Sequence, residues 1–563
     1  MSGKASEDLV DALRRVVGKR YVLTGASALP FATGFRTGAG PVAAVVRPGS
    51  LVELWRAFRL CIAADCIVIG QAANTGLTGG STPFGEYDRP VVIINTLRLK
   101  GIFTVRGGRE VICLAGATLY DLEQVLAPLG REPHSVIGSS CIGASVVGGI
   151  CNSSGGALVS RGPAYTEYAL FAKVDETGEV HLCNHLGVAL SGDPEAMLRK
   201  IEAGGISDAD ITGHDRRGSA AGDYALTVRQ IDSASPARFN ADPSRLFEAS
   251  GSAGKIMVFA VRLDTFPAAA KTAVYYVGTN DTTELEDLRR RFLSHARNLP
   301  VSAEYIHRDA FRIAYQYGKD MVWAIRALGT SRLPWLFRAK DWVDLIGRRI
   351  GIESPLSDRL LQFAAGLLPQ HLPRRLRSWH ARFEHHLVLK VADAGIAEAE
   401  SELARLFPSA SGEAFLCTPQ EADLAMLHRF AVAGAAVRYR TVHGDRAGPL
   451  VSLDVALRRN DRDWFEVLPP YLEAQIAAKL YYGHFFCHVF HQDYLLHAGC
   501  DPDRFEHELM ALLDERGAEY PAEHNVGHLY PAKPALEAHY RALDPGNRVN
   551  AGVGQTSRHK NWR

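Results

Sequence analysis

The sequence predicts a multi-domain protein of the α/β or α+β class. Its 563 residues exceed the length at which one hydrophobic core stops growing, so at least two domains are expected. Over roughly the first 270 residues, short β-branched runs alternate with stretches of helical apolar spacing. After "GSAGKIMVFAVRLDTF" the composition shifts to longer helices broken by Pro and Trp, which indicates that a second domain follows.

The elements can be justified in order along the chain. The N-terminus, "MSGKASEDLVDALRRVVGKR", is typical of an amphipathic helix with mixed charges. In "SLVELWRAFRLCIAA" the residues Leu51, Leu54, Phe58 and Cys61 recur at helical spacing, which predicts another helix. Short runs rich in β-branched and aromatic residues predict strands: "VAAVVRP", "CIVIG", "VVIINTL", "AVYYVGT" and "HHLVLKVA".

Composition excludes several classes of protein. A hydrophobic content of 47%, a charged content of 22% and a net charge of +1 are ordinary for a globular chain and predict no nucleic-acid binding by the molecule as a whole. The nine cysteines are scattered without CxxC spacing, which suits reduced thiols better than disulfides or zinc. Neither a signal peptide nor an apolar run of about 18 residues is found, so a spanning helix is not expected, while attachment to a membrane surface stays open.

A glycine-rich loop follows one predicted strand in "CIVIGQAANTGLTGGSTP", from Cys66 to Pro83. No G-x-G-x-x-G set occurs, which disfavours a Rossmann nucleotide site. In "SGSAGKI", Ala249 and Ile256 replace residues that a P-loop needs. Two interpretations remain: backbone N–H groups and hydroxyls that bind a pyrophosphate, or a structural surface turn.

A second loop of small residues, "PHSVIGSSCIGASVVGGICNSSGG", spans Pro133 to Gly156. Two such loops in one domain favour a large, flat ligand, because small side chains let the backbone approach it closely. Ser140 and Cys141 lack a G-x-S-x-G elbow, so we interpret them as packing residues and not as nucleophiles.

The two loops, the intervening "VICLAGATLYDLEQVLAPLG" and the later "SGSAGKIMVFAVRL" resemble the FAD-binding domain of the vanillyl-alcohol-oxidase (PCMH-type) flavoproteins. The resemblance continues through "YYGHFFCHVFHQDY" and "AEHNVGHLY". Among those flavoproteins the chain is most similar to the membrane-associated, quinone-dependent D-lactate dehydrogenases of respiration. The resemblance implies an α+β protein, with a PCMH-type FAD-binding domain and an α+β cap domain that carries a helical, basic membrane-binding segment.

The resemblance also implies which residues surround the FAD. Asn74 lies where some relatives tether the flavin through a histidine, and no histidine occurs from Cys66 to Pro83, so the FAD is expected to be non-covalent. The implied cofactor-binding residues are Ala72, Ala73, Asn74, Thr75, Gly76, Gly80, Ser81, Gly138, Ser145, Gly155 and Val258.

The chemistry is expected in the second domain and the C-terminal strip. Oxidation of a 2-hydroxy acid needs a base for the hydroxyl proton, a cation for the carboxylate and a hydride acceptor. His524 in "AEHNVGH" matches the strip that supplies the base in related D-2-hydroxyacid dehydrogenases. Glu523, His484 and His491 fall where those relatives bind a divalent metal. Here "FFCHVF" replaces the relatives' G-D-G-N pattern, so two interpretations remain. These residues bind a divalent metal, or their imidazole and carboxylate groups polarise the substrate hydroxyl directly.

Arginine suits a carboxylate because its planar fork donates two hydrogen bonds at once. Arg429 in "LHRFAVAGAAVRYR" is the positional match to the family, and Arg36 in "GFRTG" is a weaker candidate. The alternative to carboxylate binding, for each arginine, is a solvated or ion-paired structural residue. For Arg36 that alternative is preferred.

A basic stretch bears on location. The stretch from Arg326 to Arg382 contains eleven Lys or Arg residues and four acidic residues, an excess of +7. Among them lie Trp335, Phe337, Trp342, Trp379 and the apolar run 360–368. This mixture suits an anionic phospholipid surface, although RNA binding or a basic face without a partner would use the same residues. The resemblance favours peripheral binding at the cytoplasmic face of the cell inner membrane.

Three domains are predicted. The FAD-binding domain spans 1–268, with its core at about 38–208. The substrate and cap domain spans 269–520 and includes the membrane segment 327–382, and a C-terminal strip follows at 521–563. The predicted function is oxidation of D-lactate to pyruvate at FAD, with electrons passed to a membrane quinone. Two alternatives are kept: a D-2-hydroxyacid dehydrogenase with another acid or acceptor, and a lipid-bound flavin scaffold or sensor, which would not need the His524 strip.

Overall fold

The computed structural model describes residues 3–135, 143–328, 340, 343–344, 355–444 and 446–563. The predicted helices Gly3–Val17 and Leu51–Ala63 pack against the first sheet. The second of them begins after Ser50, whose side chain accepts a hydrogen bond from the Glu53 N–H. The strands of this sheet lie in the order Val22–Leu23, Ala44–Val46, Val91–Asn95 and Ile67–Gln71, and the last three are parallel.

A second, antiparallel sheet shares a hydrophobic core with the first. Its central strand, Met257–Asp264, brings Met257 and Phe259 against Val68 and Ile94 of the first sheet. Its strands lie in the order Ile102–Val105, Glu110–Leu114, Met257–Asp264, Tyr168–Val174 and Val180–His185. A separate pair joins Arg131–Glu132 to Phe266–Pro267.

A third, seven-stranded antiparallel sheet forms the centre of the remaining chain. It contains both strands that the sequence predicts there, Thr272–Thr279 and His385–Ala392, and five that it does not predict. The strands lie in the order Gly412–Leu416, Thr272–Thr279, His385–Ala392, Ser302–His307, Ile476–His484, Val489–His497 and Ala447–Ala456.

The two faces of this sheet carry different helices. Ile306, Val388 and Tyr482 alternate onto the face covered by helices Arg308–Tyr317 and Pro419–Val442. The opposite face packs against other helices, which include Thr282–His295 and Pro502–Glu515. The remaining α-helices are Leu29–Ala32, Leu119–Leu126, Val146–Cys151, Pro194–Glu202, Ala221–Arg229, Lys319–Leu328, Leu356–Leu367, Arg374–Arg382, Gly395–Leu406, Pro470–Glu473 and Pro534–Leu543.

The predicted membrane segment is described in part. Helices Leu356–Leu367 and Arg374–Arg382 lie within it, whereas Trp335, Phe337 and Trp342 lie outside the described residues. Over the described ranges, no helix combines the length and the hydropathy that crossing a bilayer would need.

Candidate active site

A buried carboxylate, that of Asp454, contacts two imidazoles. Asp454 lies directly opposite His491 on the neighbouring strand, and its Oδ1 is 3.4 Å from His491 Nδ1. Its other oxygen, Oδ2, accepts hydrogen bonds from His524 Nδ1 at 2.8 Å and from the Glu523 N–H at 2.5 Å. Antiparallel pairing and the return of the C-terminal chain thus bring together residues far apart in sequence.

The electrostatics of this group favour a charged Asp454. Burial alone would raise the pKa of Asp454, but the neighbouring His524 and His491 imidazoles outweigh burial and lower that pKa well below its usual range. Burial lowers the pKa of His524, yet the Asp454 charge and hydrogen bond outweigh it, so the pKa of His524 is raised. The His524 side chain is 32% exposed and that of Asp454 only 7%, so the histidine faces the open side.

A second buried carboxylate, that of Glu304, holds His484 and Arg429. Glu304 Oε1 lies 2.7 Å from His484 Nδ1, and Oε2 lies 3.0 Å from Arg429 Nε. His484 Nε2 lies 3.1 Å from Glu523 Oε2, and the other Glu523 oxygen contacts the Arg238 guanidinium. Burial disfavours a charged His484, but its two carboxylate neighbours raise its pKa to about 10.

The donor atoms of His484, His491 and Glu523 lie within 4.8 Å of one another. A carboxylate faces Nδ1 of each histidine, Glu304 at His484 and Asp454 at His491. This is how metal-ligating imidazoles are commonly oriented, with Nε2 left for the ion. Two imidazoles and one carboxylate suit a divalent cation such as Zn²⁺, so the residues that the sequence singled out fit a metal.

The two glycine-rich loops meet the C-terminal strip beside this cluster. A Cβ atom at Gly80 would lie 2.7 Å from Asn525 Nδ2, and one at Gly155 would lie 2.5 Å from the Glu523 carboxyl carbon. The Gly155 N–H donates to the Glu523 carbonyl at 3.2 Å. Only glycine therefore lets both loops approach the residues that adjoin His524.

The first loop keeps donors free for an anion. In the part of the chain that the structure describes, no backbone N–H from Ala73 to Gly76 donates to a protein group. Asn74 has a positive φ of 54° and is held by hydrogen bonds to the Thr33 carbonyl and from Ser81. A Cβ at Gly76 would meet nothing within 4 Å. This cradle fits the pyrophosphate of the expected cofactor.

The other implied cofactor residues are placed as follows. Ala72 is held by a hydrogen bond from Asn95 to its carbonyl. Ser145 accepts a hydrogen bond from the Gly148 N–H at the start of helix Val146–Cys151, and Val258 is buried in the central strand of the second sheet. Gly138 lies outside the described residues.

Sequence reasoning missed Asp454, Glu304 and Arg238, because none belongs to a local motif. The structure also separates the two candidate arginines. Arg429 is buried and paired with Glu304, whereas Arg36 is exposed and has no ion pair with a described residue. Arg36 nevertheless lies close enough to lower the pKa of His524 by its charge, against the larger effect of Asp454.

Comparison with known proteins gives both families and relatives. Residues 274–562 match a family described as "D-lactate dehydrogenase, membrane binding", and residues 42–184 match "FAD binding domain". The chain is 53% identical to the quinone-dependent D-lactate dehydrogenase of Haemophilus influenzae, over 99% of both chains. It is 51% identical to that of Escherichia coli K12, over 100% of this chain and 99% of the relative.

Among solved structures, p-cresol methylhydroxylase with bound substrate resembles the chain, with a TM-score of 0.59, 12% identity, and coverage of 99% of this chain and 98% of that one. At this identity the likeness concerns the fold alone. It agrees with the PCMH-type fold predicted from the sequence.

Proposed function

The chain belongs to the family of quinone-dependent D-lactate dehydrogenases, and from this we infer that it is an FAD oxidoreductase that oxidises D-lactate and reduces a quinone. The observation that carries the assignment of the site is the cluster around Asp454 and Glu523, which adjoins both glycine-rich loops.

His524 is the general base. Because Asp454 accepts the hydrogen bond from Nδ1, the atom left to take the hydroxyl proton of D-lactate is Nε2. Asp454 then stabilises the imidazolium that forms, in the low-dielectric environment of a buried carboxylate. FAD, when bound, supplies the acceptor for the hydride from the α-carbon, and the product is pyruvate.

His484, His491 and Glu523 hold a divalent metal. Such an ion, when bound, polarises the substrate hydroxyl and lowers its pKa. Glu304 and Asp454 fix the two imidazoles behind it, and Arg238 balances the charge of Glu523.

Arg36 binds the substrate carboxylate, in preference to Arg429. The Arg429 charge is already balanced by Glu304, so it is better suited to hold Glu304 and, through it, His484. The exposed Arg36 guanidinium is available to form a bidentate pair with an incoming carboxylate. This reverses the preference drawn from sequence, which could not see Glu304.

FAD binds in the first of the three domains that the sequence predicts, 1–268, 269–520 and 521–563. The first loop, Ala72–Ser81, binds the pyrophosphate through its free N–H groups, and Ser145, Gly155 and Val258 line the rest. Ser135 supports this placement, since its buried hydroxyl at the start of the second loop has no hydrogen-bond partner among the residues that the structure describes.

The protein binds the cytoplasmic face of the inner membrane peripherally, through anionic phospholipids. Helix Leu356–Leu367 supports this, because Phe363 and Leu367, 75% and 79% exposed, project an apolar face into solvent. Arg359, Arg374 and Arg375 supply neighbouring positive charge.

Anaerobic titration of the oxidised holoenzyme with D-lactate tests the function. Bleaching of the flavin absorbance by D-lactate, and its recovery on adding a quinone, is the expected result. L-lactate serves as the control and should leave the absorbance unchanged. A flavin that D-lactate does not bleach would contradict the proposal.

A further inference from the structure

A second group of buried polar side chains lies on the face of the seven-stranded sheet that also carries the catalytic cluster. We call it the histidine compartment, and define it by Tyr276, Phe311, His371, His380, His386 and His428. None of these residues has a role in the mechanism above.

Several polar atoms of the histidine compartment have no hydrogen-bond partner among the described residues. They are the Tyr276 hydroxyl, both ring nitrogens of His386, Nδ1 of His371 and Nε2 of His428. These four residues are only 1%, 0%, 3% and 1% exposed, so water does not readily satisfy these atoms. An unsatisfied buried polar group costs about 1–3 kcal/mol, and such a group in a native core calls for an explanation.

The compartment is lined by aromatic rings. The Phe311 ring lies at its centre, with centroids 4.5 Å from His380, 5.4 Å from His386 and 4.2 Å from His428. Tyr276 and His386 lie on adjacent strands, in diagonal positions of the same face, with ring centroids 5.8 Å apart. His371 Nε2 lies 3.4 Å from His428 Nδ1 on the other side.

Burial keeps the imidazoles of the compartment neutral. It is the largest cause that lowers the pKa of His386, and His380, His385, His307 and Arg308 act in the same direction. Burial also lowers the pKa of His371, aided by the charge of Lys319. It lowers the pKa of His380 as well, where Arg308 and Arg312 add to the effect and Asp309 opposes it. Neutral imidazoles beside these lysine and arginine cations suit a ligand that carries acceptors and gains electrons.

The compartment adjoins both the end of the apolar helix Leu356–Leu367 and the catalytic cluster. On one side, His371 follows the exposed Leu367 and Leu368 at the end of the apolar helix, and Lys319 Nζ donates to the Leu368 carbonyl at 2.9 Å. On the other side, His428 precedes Arg429, whose partner Glu304 holds the catalytic His484. A ligand held in the compartment would thus lie between the end of that helix and the catalytic cluster.

We propose that the histidine compartment binds the ring of the quinone, with Tyr276 and His386 donating to one carbonyl and His371 to the other. A quinone is a flat ring with two carbonyl acceptors and no donor, which complements these donors; the quinol formed is a donor, and a neutral imidazole can accept from it. Entry requires the Phe311 ring to turn aside. The inference rests on the proposed quinone acceptor.

The electrons and protons balance. Oxidation of one D-lactate to pyruvate releases two electrons and two protons, and reduction of one quinone to quinol consumes two of each. The electrons pass by way of the reduced flavin, and the two protons reach the two quinone oxygens.

Tyr276→Phe is the sharpest test, because it removes only the unpartnered hydroxyl. The holoenzyme is reduced with dithionite, without D-lactate, and its reoxidation is followed with a short-chain, water-soluble ubiquinone analogue and, separately, with ferricyanide. Loss of one hydrogen bond to a neutral acceptor should weaken use of the quinone by about fivefold, with ferricyanide unaffected. Tyr540→Phe is the matched control, since the Tyr540 hydroxyl is equally buried and unpartnered but lies on helix Pro534–Leu543.

A purely structural Tyr276 predicts a different result. Removing an unsatisfied hydroxyl from a core should then raise the melting temperature and leave both acceptors at wild-type rates. Wild-type quinone kinetics, or equal slowing with both acceptors, would overturn the proposal, and His386→Phe should repeat the quinone-specific defect. Because the flavin is reduced chemically, failure here is separate from failure of D-lactate to bleach the flavin, which would count against the proposed function instead.

Discussion

Asp454 and His524 stand 70 positions apart in the chain, yet His524 Nδ1 donates a 2.8 Å hydrogen bond to Asp454 Oδ2. The same carboxylate faces His491 from the neighbouring strand. One buried charge therefore orients both the proposed base and a proposed metal ligand, so a substitution of Asp454 acts on both.

His524→Gln should leave FAD bound and the protein folded, but slow flavin reduction by D-lactate about 10²–10⁴-fold, the range expected for loss of a positioned base. Anaerobic stopped-flow absorbance measures the rate, and dithionite should still bleach the flavin normally. Reduction by D-lactate at the wild-type rate would refute the role. Loss of flavin and fold together would indicate a structural histidine.

Asp454→Asn keeps the size of the side chain but removes its charge. We expect flavin reduction to fall by about 10²-fold or more, since His524 loses the partner that fixes its tautomer and stabilises its charged form. Ser452→Ala, on the same strand, is the control: its hydroxyl is buried and unpartnered, so activity should be retained. An Asp454→Asn enzyme as fast as Ser452→Ala would contradict the positioning role.

Removal of the metal tests its proposed role in activating the substrate hydroxyl. Dialysis against a chelator should lower the rate of flavin reduction by D-lactate at least tenfold, within the range seen when metal-site groups are lost, and Zn²⁺ or Mn²⁺ should restore it. Metal content, measured by mass spectrometry, should fall in His491→Ala. It should not change in His181→Ala, which alters the solvent-exposed group Asp175, Glu179 and His181. Full activity of a verified metal-free enzyme would argue against the ion.

The double substitution Phe363→Asp with Leu367→Asp should abolish most binding to vesicles rich in anionic lipid, because it replaces the exposed apolar face of helix Leu356–Leu367 with charge. Co-sedimentation measures binding, and salt should weaken that of the wild type. Val467→Asp, at an 89% exposed apolar residue elsewhere, is the control. Vesicle binding that survives the double substitution would place the membrane contact elsewhere.

Acid should destabilise the packing around the buried His371. Burial, aided by the charge of Lys319, lowers the pKa of His371 to about 4, while an unfolded histidine titrates near 6.5. The unfolded state therefore binds the proton first, and stability falls as pH drops from about 6.5 towards 4. Urea unfolding at several pH values should show this loss, and His371→Leu should reduce its pH dependence. An unchanged pH slope would count against a neutral, buried His371.

The sequence predicted the parts of this molecule that local pattern controls. The helix Leu51–Ala63 and the strand Ile67–Gln71 follow from periodicity and from the Ser50 cap. His484, His491, Glu523 and His524 were found through motif resemblance, and the structure brings them together.

The residues that were missed depend on long-range pairing. Glu304 faces His484 only because strand Ser302–His307 pairs with strand Ile476–His484. The sequence around Glu304 contains no pattern that predicts this pairing. The ion pair of Arg429 with Glu304 could not be foreseen for the same reason. Register between distant strands is a global property of the sheet, so no local window contains it.

The short segment from Glu523 to His528 contains the proposed base and contacts both the proposed metal site and the proposed cofactor loops. Glu523 belongs to the metal group and contacts Gly155, Asn525 approaches Gly80, and the His528 imidazole lies 2.7 Å from the Thr82 carbonyl of the first loop. Cofactor, ion and substrate therefore share one ordering cost, and whichever binds first lowers it for the others. By thermodynamic reciprocity, a chelator should weaken the retention of FAD by the same factor as the loss of FAD weakens the retention of the ion.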